Sequence, residues 1–245
     1  MKSFISGLMA AMLIGTAPAM AIVFNDATGD IDAGIATGGG TLDIVSMEVA
    51  NTLADITFTL TVNGDISATD WGNFMIGIST PGAPGAPTGN GWNRPINLSS
   101  ANGYMNHWIG SWVNGGGGSQ HWVYTGSGTE GGTGGNWGGP SALAGFSLNA
   151  GAQSTITYTL TLASLGLGIG DTFYFDAYTS GSGGTDSAVD ALSNPNVSIT
   201  AWDQAYTSDD AVTGLSSYTV VPEPSSIALL GLGALLFGRL FRRRA

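Results

Sequence analysis

The sequence predicts an all-β protein, an antiparallel β-sandwich with jelly-roll-like wiring, and three observations carry that prediction. Two stretches alternate strictly: Ile56, Phe58, Leu60 and Val62 interleave with Thr57, Thr59 and Thr61, and Ile156, Tyr158, Leu160 and Leu162 with Thr155, Thr157, Thr159 and Thr161. A period of two puts apolar side chains on one face and β-branched threonine on the other, as a half-buried strand requires. Short apolar segments are separated by turn chemistry, at Asn63-Gly64-Asp65, the proline-rich 81–87, and the glycine runs 115–118 and 181–184. Helical periodicity is nearly absent, which leaves many short strands as the remaining solution.

In chain order, Met1-Lys2, an apolar run over 4–14 and Ala19-Met20-Ala21 read as a signal peptide spanning 1–21. Pro18 opposes the alternative, a buried amino-terminal helix. The chain is then expected to leave through the Sec translocon and to begin, once cleaved, at Ile22. Strands are predicted at 42–50, 56–62, 73–79, 105–113, 121–124, 145–149, 155–162, 172–179 and 217–221, with short helical turns at 164–167 and 185–193. The threonine strands look alike, but their flanking turns differ, so shared strand chemistry explains them better than a duplicated half-domain. About 200 residues suffice for one core, so 22–220 reads as a single extracellular domain. With no cysteine among 245 residues, burial or a bound cation has to hold it together.

Charge narrows the function. Between the terminal segments Arg94 is the only basic residue against sixteen acids, a net charge of −15 for residues 22–221. Such a surface repels nucleic acid and attracts divalent cations, so no nucleic-acid partner is expected. The G-x-G-x-x-G spacing at 126–131 is followed by more glycine, with neither helix nor lysine, and reads as a loop. No serine sits in a nucleophile elbow.

Three groups of side chains are candidates for a site. If strands 105–113 and 121–124 pair with 113 opposite 121 and 112 opposite 122, then Trp108, Trp112, Trp122 and Tyr124 share one face. Aromatic planes there would either stack on sugar rings or fill the core; Trp71, Trp92, Trp137 and Trp202 have weaker context. The same register keeps His107 well away from His121, which argues against a two-histidine metal site. Arg94 would either fork onto an internal carboxylate or grip a ligand. Asp26, Asp30 and Asp32 crowd a glycine turn, and Asp186, Asp190, Asp209 and Asp210 come late in the chain. The first trio would either ligate calcium or form solvated Asx turns.

The tail has a different logic. Residues 227–238 carry no charge; as a helix they would measure about 18 Å, short of the roughly 30 Å hydrocarbon core. Extending the helix over 224–241, with Arg239 snorkelling, brings it near spanning length. Arg242, Arg243 and Arg244 would then stay cytoplasmic, with Pro222-Glu223-Pro224 at the outer interface. This order, Pro-Glu-Pro, apolar helix, arginine cluster over 221–245, resembles the PEP-CTERM sorting signal of Gram-negative bacteria. The resemblance implies that an exosortase recognises Pro222, Glu223 and Pro224, removes the tail from the inner membrane and delivers the protein to the surface, in company with exopolysaccharide and biofilm. An uncut anchor is the competing reading.

A second resemblance joins the acid turn, Leu42-Asp43-Ile44, the threonine strands and Asp190-Ala191-Leu192 to family 9 carbohydrate-binding modules, which are calcium-bearing β-sandwiches. It implies calcium at the first acid turn. Three functions follow: a non-catalytic matrix protein that associates with polysaccharide, a structural or adhesive matrix component, or a secreted carboxylate-dependent glycoside hydrolase.

Overall fold

A computed structural model describes residues 21–69, 71–126, 136–143, 145–194 and 199–222. The expected signal helix, the tail helix, Glu223, Pro224, Arg242, Arg243, Arg244 and most of the 126–131 glycine loop lie outside the described residues. The chain is all-β. Its strands are β1 (Ala21–Asn25), β2 (Ile44–Asn51), β3 (Asp55–Val62), β4 (Asn73–Ser79), β5 (Ile96–Ser100), β6 (Gly103–Tyr104), β7 (His107–Trp112), β8 (Gly118–Tyr124), β9 (Trp137–Ser141), β10 (Ser147–Asn149), β11 (Ser154–Thr161), β12 (Thr172–Ser180), β13 (Asp190–Ala191), β14 (Tyr206–Asp209) and β15 (Ser216–Thr219).

Two antiparallel sheets face each other. One runs β1-β2-β3-β11-β10; the other runs β13-β12-β4-β7-β8-β9, with β15 sharing the β12 edge with β13. The two threonine strands turn out to be neighbours. β3 and β11 pair with Phe58 opposite Tyr158 and Thr57 opposite Thr159, whose hydroxyls bond at 3.0 Å. Their apolar faces meet Phe74, Ile76, Ile109, Phe173 and Phe175 of the other sheet in the principal core. Phe24 of edge strand β1 closes that core edge-on against Phe175.

Every residue of β4 is buried, which a two-layer sandwich does not explain. The outer face of this sheet carries a second core of Met75, Met105, Trp108 and Tyr178, covered by Leu98, Ile96 and Tyr206 from a small sheet, β14-β5-β6. A strand buried on both faces loses its alternation, so β4 reads as a continuous apolar run.

The structure corrects several expectations. Residues 185–193 form no helical turn: Val189 and Leu192 donate their N–H groups to Thr179 and Ala177, and Asp190–Ala191 is a strand on β12. Strands β1, β5, β6, β9 and β14 were not predicted, and β14 runs parallel to β5. The helical turn expected at 164–167 is a 3-10 turn at Leu162–Leu165, capped by the Thr161 hydroxyl.

One buried side chain fixes the carboxy-terminal exit. Asn51 donates from Nδ2 to the carbonyls of Thr52 and Val221, each at 2.8 Å. Its Oδ1 accepts from Tyr218 Oη at 2.7 Å and Val221 N at 3.1 Å. The whole amide is engaged, and it pins the residue just before Pro222. Ala21 pairs with Ala50, so the chain enters and leaves the described domain at the same end.

Candidate functional site

The β7–β8 hairpin builds the aromatic face. Its register sets Trp108 opposite Trp122, Gly110 opposite Gln120 and Trp112 opposite Gly118. The expected pairing of 112 with 122 is therefore wrong by four residues. Glycines 115, 116 and 117, all at positive φ, close the turn within five residues, so β8 starts earlier than the His121 start assumed. Four is even, and period two preserves faces under an even shift. Trp108, Trp112 and Trp122 thus share a face as predicted. Tyr124 packs edge-on against Trp137, centroids 5.6 Å apart.

Only part of that face is open. Trp108 is 0 % exposed in the second core, whereas Trp112 and Trp122 are half-buried. Between them lies Trp92, delivered by the connection from β4 to β5. Three glycines make room for the rings. A Cβ on Gly110 would lie 2.3 Å from Trp92 Cζ2, one on Gly118 equally close to Trp112, and one on Gly91 equally close to Trp122 Cγ. Gln120 Oε1 accepts from both Trp92 Nε1 (2.8 Å) and Trp122 Nε1 (3.2 Å). Trp92 and Trp112 stand 6.3 Å apart, tilted by 43°. The rings border a cleft of about 480 Å³ whose other walls include Asn73, Arg94, Asn114, Gln120 and Ser182. That volume suits a small ligand or a few sugar units.

Sequence reasoning missed Trp92 as a wall of this cleft. The segment Gly91-Trp92-Asn93-Arg94 is set by buried Asn90, whose Oδ1 accepts from the N–H groups of Trp92 and Arg94 and whose Nδ2 donates to the carbonyls of Arg94 and Ile96. Asn93 between them takes φ +52°, a left-handed geometry that asparagine tolerates better than most residues. Arg94, 4 % exposed, does not fork onto a carboxylate as one reading expected. It donates from Nη1 to Ser180 Oγ and the Asp186 carbonyl, both at 2.8 Å, and from Nη2 to the Gly181 carbonyl at 3.2 Å. Its guanidinium carbon lies 5.5 Å from the Trp92 ring centre. Burial pulls its pKa down to about 10, which leaves it charged at neutral pH.

The acids regroup. Asp26 and Asp30 meet Asp190, with ligand oxygens all within 4.8 Å of one another. Asp32 is not among them; its Oδ1 accepts from Gly34 N at 2.8 Å, an Asx turn. The expected trio is thus corrected by exchanging Asp32 for Asp190, a partner far away in sequence. Asp186 likewise serves its own turn, accepting from Gly183 N, and Asp209 accepts from Ala211 N. Burial, with neighbouring carboxylates adding to it, raises Asp26 to about 7 and Asp190 well above the usual carboxylate range.

The histidines are also corrected. In the observed register His107 and His121 are diagonal neighbours on the inner face, with Nδ1 of the first 3.1 Å from Nε2 of the second and their rings stacked at 5.3 Å. Each is sealed from solvent, at 4 % and 5 % exposure. Burial holds the pKa of His107 down to about 3, with His121 adding to the effect, and that of His121 down to about 4.

Comparison with known proteins finds the PEP-CTERM protein-sorting motif at residues 220–244. No curated protein and no solved structure matches the chain, and the likeness to family 9 carbohydrate-binding modules is not confirmed. Among the described residues no helix is long and apolar enough to cross a membrane. The motif marks a membrane-anchored precursor that exosortase processes and that is sorted to the cell surface. It begins at Val220, within the part of the chain that Asn51 holds.

Proposed function

We propose that the processed domain is a non-catalytic component of the extracellular matrix of a Gram-negative bacterium, and that it binds exopolysaccharide through the cleft of Trp92, Trp112 and Trp122. The observation that carries this reading is the seating of three indoles on three glycines around a recess whose walls also bear amides and a guanidinium. Indole faces match the C–H faces of pyranose rings, and Asn73, Asn114 and Gln120 suit hydroxyl groups. The net charge of −15 over residues 22–221 disfavours anionic polymers, so neutral glycans are the expected class. The side chains named on the cleft walls include no Asp or Glu, whereas glycoside hydrolysis ordinarily needs two carboxyls flanking the bond.

A glycan array tests this with the surface-released protein. Retention of related neutral glycans, lost in Trp112→Ala and Trp122→Ala while near-ultraviolet circular dichroism stays native, is the expected result. Absence of retention would leave a structural or adhesive matrix role, and cleavage of a retained glycan would make the protein a hydrolase.

Delivery through the Sec translocon and release from the inner membrane give a second prediction. Mass spectrometry of surface material should find a carboxy terminus lacking Arg242, Arg243 and Arg244. Replacing Pro222, Glu223 and Pro224 by alanine should leave the arginines attached and the protein in the membrane fraction.

A further inference from the structure

We infer that Asp26, Asp30 and Asp190 form a divalent-cation site, with calcium as its occupant, that ties the amino-terminal segment to the edge of the seven-stranded sheet. The inference is independent of polysaccharide binding. Asp26 and Asp30 lie in the connection leaving β1, and Asp190 lies on β13, so an ion between them would bridge the two sheets. One oxygen from each carboxylate lies within 4.8 Å of the others. Calcium binds oxygen at about 2.3–2.6 Å, so oxygens around one ion stand at most about 5 Å apart.

Crowded acids alone would not make a site. The second observation is that both oxygens of Asp30, and Oδ2 of Asp26, are shut off from solvent and accept no hydrogen bond. A buried acceptor without a partner carries its full desolvation cost, and native structures rarely leave one so. No protein cation is at hand to relieve it. Arg94 is the sole Lys or Arg among the described residues, and it is committed to Ser180, Gly181 and Asp186.

The surroundings hold these carboxylates in place. Asp190, wholly buried, accepts from Ile44 N at 2.6 Å and Ala191 N at 2.8 Å, one bond to each oxygen. Gly29, between Asp26 and Asp30, donates its N–H to both oxygens of Asp43, which fixes the turn that carries the other two. An all-oxygen donor set selects a hard cation. Three convergent carboxylates favour calcium over magnesium, which keeps most of its water and takes one or two.

The test uses the purified full-length chain in detergent, stripped with chelator and titrated with calcium chloride by calorimetry. One ion per chain is expected, together with a melting temperature that rises with calcium concentration. Asp30→Asn, whose side chain holds no hydrogen bond to another residue in the fold, should weaken binding roughly tenfold or more with near-ultraviolet circular dichroism unchanged. Asp26→Asn is the second variant and should do the same, while Asp32→Asn should bind as the parent does. No heat of binding with the same melt in chelator and calcium would overturn the site. Calcium affinity undiminished in both Asp26→Asn and Asp30→Asn would overturn it equally, and equal affinity for magnesium would overturn the choice of ion.

Discussion

Trp108→Ala should cost about 3–5 kcal/mol of stability, the range for truncating a fully buried large aromatic, and should remove the cleft with it. The side chain is the floor on which the aromatic face stands. It lies in the second core with Met75 and Met105, stacked 6.2 Å from Tyr178 on one side and edge-on to Trp92 at the same distance on the other. Its removal takes away the buried ring beneath Trp92, leaving it Gly110, Trp112, Arg94 and the bond to Gln120. Trp112→Ala and Trp122→Ala should behave differently. Both rings are half-buried, so their loss should cost markedly less stability while abolishing glycan retention. Equilibrium denaturation of the three variants, set beside array binding, separates the two roles. A Trp108→Ala protein within about 1 kcal/mol of the parent would contradict the second core, since surface substitutions fall in that range.

The contrast among these tryptophans shows what a one-dimensional reading can reach. Period two is local, so the threonine strands and the shared face of Trp108, Trp112 and Trp122 were legible, and β4 was predicted with its observed ends. Depth was not legible. Nothing in the spacing of Trp108 and Trp112 says that a third layer covers one and leaves the other half open. That layer comes from β5, β6, β14 and the loop bearing Trp92. The strands are five residues or fewer, so the alternation in β5 (Ile96 and Leu98 buried) and β14 (Tyr206 and Ser208 buried) is too short to stand out. Partners remote in sequence were hidden for the same reason. Asp30 sits beside Asp32 in the chain, yet folding spends Asp32 on a local Asx turn and brings Asp190 across from β13. The sorting motif at 220–244, by contrast, was readable, because a sorting signal is recognised as a linear string.

Acidification should destabilise the fold through the buried histidine pair, and the expected effect rivals that of Trp108→Ala. Stacked side by side between the sheets, the rings are held at about 3 and 4 mainly by burial, against about 6.5 in the unfolded chain. As pH falls below 6.5 the unfolded chain takes up two protons that the folded one refuses, so stability drops through the window from 6.5 down to about 4 and 3. By pH 4 the loss for the pair is on the order of a few kcal/mol, at 1.36 kcal/mol per pKa unit. A buried carboxyl acts in the opposite sense. Asp176, raised to about 6 chiefly by burial, binds a proton more readily folded than unfolded and favours the fold as pH falls below that value. The histidine contribution is therefore read by difference. The double variant His107→Leu/His121→Leu lacks it, so the parent should lose stability relative to the variant as pH falls from 7 to 4, with the two curves parallel above 7. Imidazole chemical shifts give the direct check, and both rings should keep neutral shifts at pH 5. Protonated shifts there, in protein that is still folded, would mean that the pair is open to water and that β7 and β8 do not pack as described.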